Sequence, residues 1–161
     1  MNSEPVVLLR EATDEKDLEL MMAWRSDSET YRGFYSQEKP LTWEEHLDWF
    51  RSRNKDWRTF VIIYDGRKVG VVTVGQLDYW EPESGIYIGE KTLRGKGVGK
   101  KALKLAIAWL RERNYRYTRT TIKDDNVNSI KLYHSLGFLR IGEAREGESL
   151  YRLKMTMSAT P

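Results

Sequence analysis

"TLRGKGVGKKALKLAIAWL", Thr92 to Leu110, is the stretch on which the fold turns. Gly95, Gly97 and Gly99 alternate with other residues, and Arg94, Lys96, Lys100, Lys101 and Lys104 crowd around them with no acid between. After Gly99 apolar residues recur at helical spacing. A glycine-rich basic turn that becomes a helix N-terminus offers unpaired N–H groups and a partial positive charge. Without Cβ atoms its backbone can approach a ligand closely, and a diphosphate is the natural guest. A tight turn with solvated cations has the same composition, so the glycines alone do not decide. Two nucleotide loops fail on spacing. A Walker A loop needs glycine where Arg94 stands and Ser or Thr where Lys101 stands. A dinucleotide fingerprint needs GxGxxG, whereas Gly95 to Lys100 reads GxGxGx.

Upstream, "TFVIIYDGRKVGVVTVGQL" holds two β-branched runs around Asp65-Gly66, the dipeptide of a tight hairpin. A third run, "SGIYIGE", follows the loop "DYWEPE" and leads into the glycine turn. Val6 to Leu9 reads as a strand. Thr13 is the expected N-cap of a first helix that buries Leu18, Met21, Met22 and the stem of Arg25 beside Trp24. Asp27 to Pro40 reads as irregular. Thr42 caps a second helix, with Glu45 at the capping-box position and a core stripe of Trp43, Leu47 and Phe50. Downstream, the glycine-turn helix runs to about Arg113, and "RYTRTTIK" is a strand with Thr118, Thr120 and Ile122 on one face. "NVNSIKLYHSLGF" is a short helix stopped by Gly137. The runs Phe138–Gly142 and Leu150–Met157 form a terminal hairpin.

The chain has 161 residues, a one-domain length with room for a core. It has no cysteine, which excludes a disulfide framework, a cysteine-ligated zinc and a cysteine nucleophile. The N-terminal apolar run is too short and too acidic for a signal peptide. No apolar run approaches the roughly 20 residues that span a bilayer. A net charge of +3 against 51 charged residues describes a mixed surface rather than a nucleic-acid face.

Arg94-x-x-Gly97-x-Gly99, after a strand and opening a helix, resembles the acetyl-CoA diphosphate loop of the GNAT superfamily of N-acetyltransferases. A second motif stands at the expected distance. "NVNSIKLYHSLGF" resembles the family's N-x-x-A/S-x-x-x-Tyr-x-x-x-Gly-Phe helix, with Asn126, Ser129, Tyr133, Gly137 and Phe138 in register. The resemblance implies an α/β (α+β) fold: a mixed, largely antiparallel twisted sheet of about seven strands with about four helices. It implies one N-acetyltransferase domain over residues 1–161, acetyl-CoA as donor and a primary amine as acceptor. It implies a cytoplasmic monomer or homodimer with a small-molecule partner, without nucleic acid, membrane or metal.

The resemblance also assigns residues. Backbone N–H groups of Arg94, Gly95, Lys96, Gly97, Val98, Gly99 and Lys100 would cradle the diphosphate. Tyr87, Ile88 and Gly89 would hydrogen-bond the pantetheine arm where their strand splays from its neighbour. Asn126 and Ser129 complete the cofactor side. The attacking amine must be unprotonated, although a primary amine has a solution pKa of about 10. The departing thiolate needs a proton, which Tyr133 can supply. Glu83 and Glu90, at the two ends of the strand before the loop, are the candidate bases, and His46 could titrate near neutrality.

The acceptor side is expected among the N-terminal helices and the loop after the third strand, which are rich in aromatics: Trp24, Tyr31, Phe34, Tyr35, Trp43, Trp49, Tyr79 and Trp80. Trp24, Arg25, Phe34, His46, Tyr79 and Trp80 are the candidate acceptor contacts. Phe34, Tyr79 and Trp80 would stack on a base or sugar, and Arg25, Arg32 and Arg51 would supply charge. "MAWRSD" and "LTWEEHLDWF" resemble the branch that acetylates UDP-linked amino sugars and, less specifically, N-terminal acetyltransferases of ribosomal proteins. A non-catalytic nucleic-acid-binding domain would need aromatics among the Arg94–Lys104 cations, and there are none. An acetyl-CoA binder without catalysis would have no need of Tyr133.

Overall fold

The hairpin at Asp65-Gly66 forms the centre of the sheet. Asp65 and Gly66 both take positive φ, 49° and 77°, as a two-residue turn matched to strand twist requires. The computed structural model describes residues 3–34, 37–53 and 55–156. β2 (Arg58–Tyr64) and β3 (Arg67–Gly75) pair antiparallel from Arg58↔Val74 to Tyr64↔Arg67. Neither strand alternates polar with apolar residues, because both faces are covered. Phe60, Ile62, Val72 and Val74 enter one core, and Val61 and Val71 enter another on the opposite face.

β1 (Val7–Glu11) pairs with β2, and β4 (Glu83–Ile88) pairs with β3. Beyond them lie β5 (Tyr117–Lys123), β7 (Glu148–Lys154) and β6 (Leu139–Arg145), giving the order β1-β2-β3-β4-β5-β7-β6. Every pairing is antiparallel except β4 with β5. That pair meets at one register position, Glu83↔Arg119. The sheet therefore opens along the rest of β4, and this opening positions the site.

α4 (Val98–Glu112) covers one face. Val98, Ala102, Leu103, Ala106, Ile107 and Leu110 are buried at i, i+4, i+5, i+8, i+9 and i+12, one stripe of a helix. α5 (Val127–Ser135) adds Tyr133 to the same core, with Phe138 just beyond it. The other face carries α1 (Glu15–Arg25) and α3 (Trp43–Ser52), with Met21 and Trp24 of α1 in its core.

Three local readings are corrected. The N-cap of α1 is Asp14, not Thr13: its carboxylate accepts from Asp17 N at 2.9 Å. The third helical position is then Asp17, whose buried carboxylate binds Arg10 at 2.8 Å and Lys68 at 2.7 Å. It ties α1 to β1 and β3 rather than closing a capping box. The segment read as irregular contains α2 (Ser28–Tyr31), which Asp27 caps through Glu29 N, so there are five α-helices among the described residues. In α3 the capping box of Thr42 and Glu45 is present, but Trp43, Leu47 and Phe50 are only half-buried and His46 is the fully buried residue. The inward face of α3 centres on His46 because the Leu18 carbonyl of α1 accepts its Nε2–H at 2.8 Å. Two sequence readings, Tyr35 and the last residue of the final run, Met157, lie outside the described residues. No helix among the described residues is long and apolar enough to cross a membrane.

Candidate active site

The opening between β4 and β5 holds a cavity of about 160 Å³. Glu83, Ser84, Ile86 and Tyr87 of β4 line one wall, Thr120 and Ile122 of β5 the other, and Asn126, Ser129 and Tyr133 close it from α5. A second cavity of about 560 Å³ shares Gly33, Phe34, Ile86, Tyr87, Asn126 and Ser129 with the first and continues to Ile88 and Arg94. Together they make one cleft from the reactive end to the glycine turn.

The backbone of β4 is prepared for a ligand. Gly89 donates its N–H to the Val69 carbonyl at 2.8 Å. Alternate residues of an antiparallel ladder direct their peptide groups to opposite sides. Gly85, Tyr87 and Gly89 therefore face β3, and Ile86 and Ile88 face the gap. The Ile88 carbonyl accepts from Arg94 Nε at 2.9 Å. The Ile86 peptide and the Ile88 N–H remain toward the cleft. Of the expected trio Tyr87, Ile88 and Gly89, the structure thus places only Ile88 with its peptide toward the cleft, and adds Ile86. Gly89 lies against Trp24, where a Cβ would come within 2.1 Å of the indole.

At the glycine turn, Gly95 and Gly97 take φ of 72° and 83°. Gly97 is the N-cap of α4 and no side chain caps that helix, so its first N–H groups have no partner from the cap. Gly99 lies inside the first turn, and Lys96 and Lys101 are exposed. Arg94 turns back: besides the Ile88 carbonyl it donates to Thr30 Oγ1 at 2.7 Å and approaches Glu29. Its guanidinium fastens the loop to β4 and α2.

Tyr133 is 3% exposed and packs edge-on against Phe138 at 4.9 Å. Burial raises its hydroxyl above the usual phenol range; a hydrogen bond with the Thr120 side chain acts against this, and the nearby charge of Glu83 adds to it. The hydroxyl therefore keeps its proton at neutral pH. Asn126 caps α5 by accepting from Ser129 N at 3.2 Å.

Of the residues expected on the acceptor side, Arg25 and Phe34 line the cavity. Trp24, His46, Tyr79, Trp80 and Glu90 do not line it. His46 is sealed between α1 and α3, its Nδ1 3.4 Å from Arg25 Nη1. Burial lowers its pKa, the bond to Leu18 acts the other way, and the charge of Arg25 lowers it again, so the ring is neutral. Tyr79 and Trp80 are exposed in the β3–β4 loop, Trp80 edge-on to Tyr117. Trp49, named only among the aromatics of the acceptor side, lines the cavity, and residues the sequence reading did not assign to the site join it: Arg53, Trp57, Ile86 and Thr120. Trp49 is in the last turns of α3, Arg53 is its extended C-cap and Trp57 follows outside the helix, so no helical periodicity links the three in sequence.

A family model described as "Acetyltransferase (GNAT) domain" matches residues 7–139. The chain belongs to the GNAT acetyltransferase family. Members of this family take the acetyl group from acetyl-CoA. An uncharacterized protein of Methanocaldococcus jannaschii is 42% identical over 154 residues, 92% of this chain but only 31% of that protein. The chain therefore spans about a third of that relative's length. The crystal structure of a domain from Methanocaldococcus jannaschii superposes with a TM-score of 0.90 at 40% identity, covering 94% of this chain and all of that one. The spermidine N-acetyltransferase of Vibrio cholerae, crystallised with CoA and spermine, shares the fold with a TM-score of 0.80 at 17% identity, over 94% of this chain and 96% of that one. The GNAT assignment accounts for the open β4–β5 edge, a feature no composition or periodicity in the sequence announces.

Proposed function

We propose that this GNAT domain acetylates the primary amine of a small molecule, and that a nucleotide-linked amino sugar is the acceptor its cleft suits best. The observation that carries the reading is the meeting of Glu83 and Tyr133 in one cavity where β4 parts from β5. The residues present fit acetyl-CoA: unladdered peptide groups at Ile86 and Ile88, an uncapped helix N-terminus at Gly97, and glycines at Gly95 and Gly97 beside which a Cβ would meet nothing within 4 Å. When bound, acetyl-CoA supplies an acetyl group activated as a thioester.

Glu83 accepts the proton that the acceptor ammonium must lose. The amine nitrogen then forms the N–C bond as the C–S bond breaks, and Tyr133 delivers its proton to the departing sulfur. The same burial that raises Tyr133 also raises a thiol, so the transfer stays within reach. The nitrogen sheds a second proton as the amide forms, which restores Tyr133; the first leaves through Glu83 to solvent. Thr120 orients the phenol throughout. Phe34 and Tyr87 provide the flat apolar faces on which a sugar or base would lie. The small cavity takes the amine-bearing end, and the remainder of the acceptor extends outward.

Free-thiol release from acetyl-CoA tests the reading. The panel is a UDP-linked amino sugar, a ribosomal-protein N-terminal peptide and a polyamine. The sugar nucleotide is expected to turn over fastest. Turnover of the peptide alone would move the acceptor to proteins, and no release with any amine would remove the catalytic reading. In calorimetry Gly97→Val should weaken acetyl-CoA binding by roughly tenfold, because a β-branched residue at φ 83° costs about 1–2 kcal/mol and displaces the turn. Equal affinity would misplace the diphosphate.

A further inference from the structure

One wall of the cavity is built from stacked cations and indoles. The Arg25 guanidinium lies 4.1 Å from the Trp49 ring centroid, and that of Arg53 lies 4.1 Å from the same ring and 4.0 Å from Trp57. Trp57 is itself seated on Gly75, where a Cβ would come within 2.2 Å of the indole. Arg25 is 7% exposed and its backbone carbonyl is held by Gln37 at 2.7 Å. No carboxylate stands within salt-bridge distance of Arg25 among the described residues. A guanidinium stays charged in proteins, so burying one without a counter-ion is unfavourable unless something supplies the opposite charge.

Beside the two arginines stands Tyr87. Tyr87 lines the same cavity, and its hydroxyl is buried with no hydrogen-bond partner among the described residues. Arg25, Arg53 and Tyr87 line one cavity, and the charges of both arginines act on the phenol. A buried hydroxyl without a partner is costly to leave so. The indole faces hold the guanidinium planes in the cavity wall, with Arg25 Nη1 3.4 Å from His46 Nδ1, and fixed planar cations of this kind suit a planar or tetrahedral oxyanion.

We infer that Arg25, Arg53 and Tyr87 form an anion subsite, so that the acceptor carries a carboxylate or phosphate near its primary amine. The inference rests on the amine-acetylation reading. It adds that charge, not only ring stacking, selects the acceptor. The cations would also favour the neutral amine over the ammonium, since like charges lower the pKa of an ammonium group. A polyamine, cationic along its length, is disfavoured in this cavity by repulsion.

Binding and turnover separate the two readings. Uridine 5′-diphosphate, glutamate and spermidine serve as probes against the full chain loaded with CoA, with tryptophan fluorescence and calorimetry as readouts. At least one anion should bind, and Arg53→Gln should weaken it ~10- to 100-fold, the range for a lost charge-assisted hydrogen bond. Arg53→Lys should recover part of the loss, and CoA affinity should not change. Tyr87→Phe, which keeps the ring, should weaken the same anion by a smaller factor. Binding of the diphosphate alone identifies a phosphate source, and of glutamate alone a carboxylate source. Spermidine bound more tightly than both anions, no anion bound, or an anion bound equally by wild type and Arg53→Gln would overturn the subsite. Thiol release with an amine while no anion binds would overturn it and leave the acetyltransferase reading standing. Anion binding without thiol release would do the reverse.

Discussion

The two ends of the cleft are built by different means. The end proposed for the donor is built of backbone: the turn at Gly95 to Gly97, the N-terminus of α4 and the unladdered edge of β4. Its side chains come from one short motif on α5, Asn126, Ser129 and Tyr133. The end proposed for the acceptor is lined by side chains drawn from the end of α1, the end of α3, the segment after it and β4: Arg25, Trp49, Arg53, Trp57 and Tyr87. In the proposed reading, backbone groups would recognise a donor that family members share, which needs no residue type beyond glycine. Side chains at helix ends can change one by one, which suits a wall that must recognise a particular acceptor.

The largest expected effect falls on the donor end. Tyr133→Phe keeps the ring packed on Phe138, so acetyl-CoA affinity should hold while turnover drops by ~10²–10⁴-fold, the usual contribution of a general acid. Steady-state kinetics beside calorimetry checks this, and an unchanged turnover would shift proton delivery to water.

A middle-sized effect should separate the two ends by stability. Asp17 pins α1, and hence Arg25, to the sheet through Arg10 and Lys68. Asp17→Asn should lower stability by about 2 kcal/mol, the scale of hydrogen bonds to charged groups. For a chain of this length that is a fall in Tm of roughly 4–8 °C. The hydrogen bond from Arg10 holds the carboxyl well below the usual carboxylate range, against the opposing pull of burial and with help from Lys68. Its folded pKa lies below the unfolded value of about 3.9. Between the two values the unfolded chain binds more protons, so this stabilisation is complete above the unfolded pKa and drains as pH falls below about 4. Hydrogen exchange in acid should show α1 opening before α4. Simultaneous opening would erase the distinction.

The smallest effects sharpen the boundary of the acceptor end. Phe34→Ala should raise the acceptor KM by roughly tenfold if the ring stacks on substrate, since stacking contributes ~1–3 kcal/mol per base. Trp80→Ala, at an exposed ring outside the cavity, should change it by only about twofold, as surface substitutions do. Equal losses would extend the acceptor surface to the β3–β4 loop.

Local rules made much of the fold legible. Asp65-Gly66 needs a hairpin, Thr42 with Glu45 needs a helix start, and Thr118, Thr120 and Ile122 need one buried face; all three stand as the sequence reads. The glycine turn and the start of α5 were legible for the same reason, because Gly97 and Asn126 act through backbone conformation and capping within a few residues of themselves. His46 shows where this stops. Its ring could titrate in solution, and only the packing of α3 on α1 removes it from the cleft and leaves it neutral.

By itself the sequence determined the central hairpin, the start of α3, the glycine turn and the family, since each depends on residues within one element or on two motifs at fixed separation. Tertiary structure alone decided that Trp49, Arg53 and Trp57 would meet Arg25 and Tyr87, that Arg94 would turn back to Ile88 and Thr30, and that Tyr79 and Trp80 would lie outside the cavity. The physical reason is that guanidinium–indole stacking and burial are short-ranged in space but unconstrained in sequence. Charge and ring at any two positions can form them, and only the packed chain selects which do.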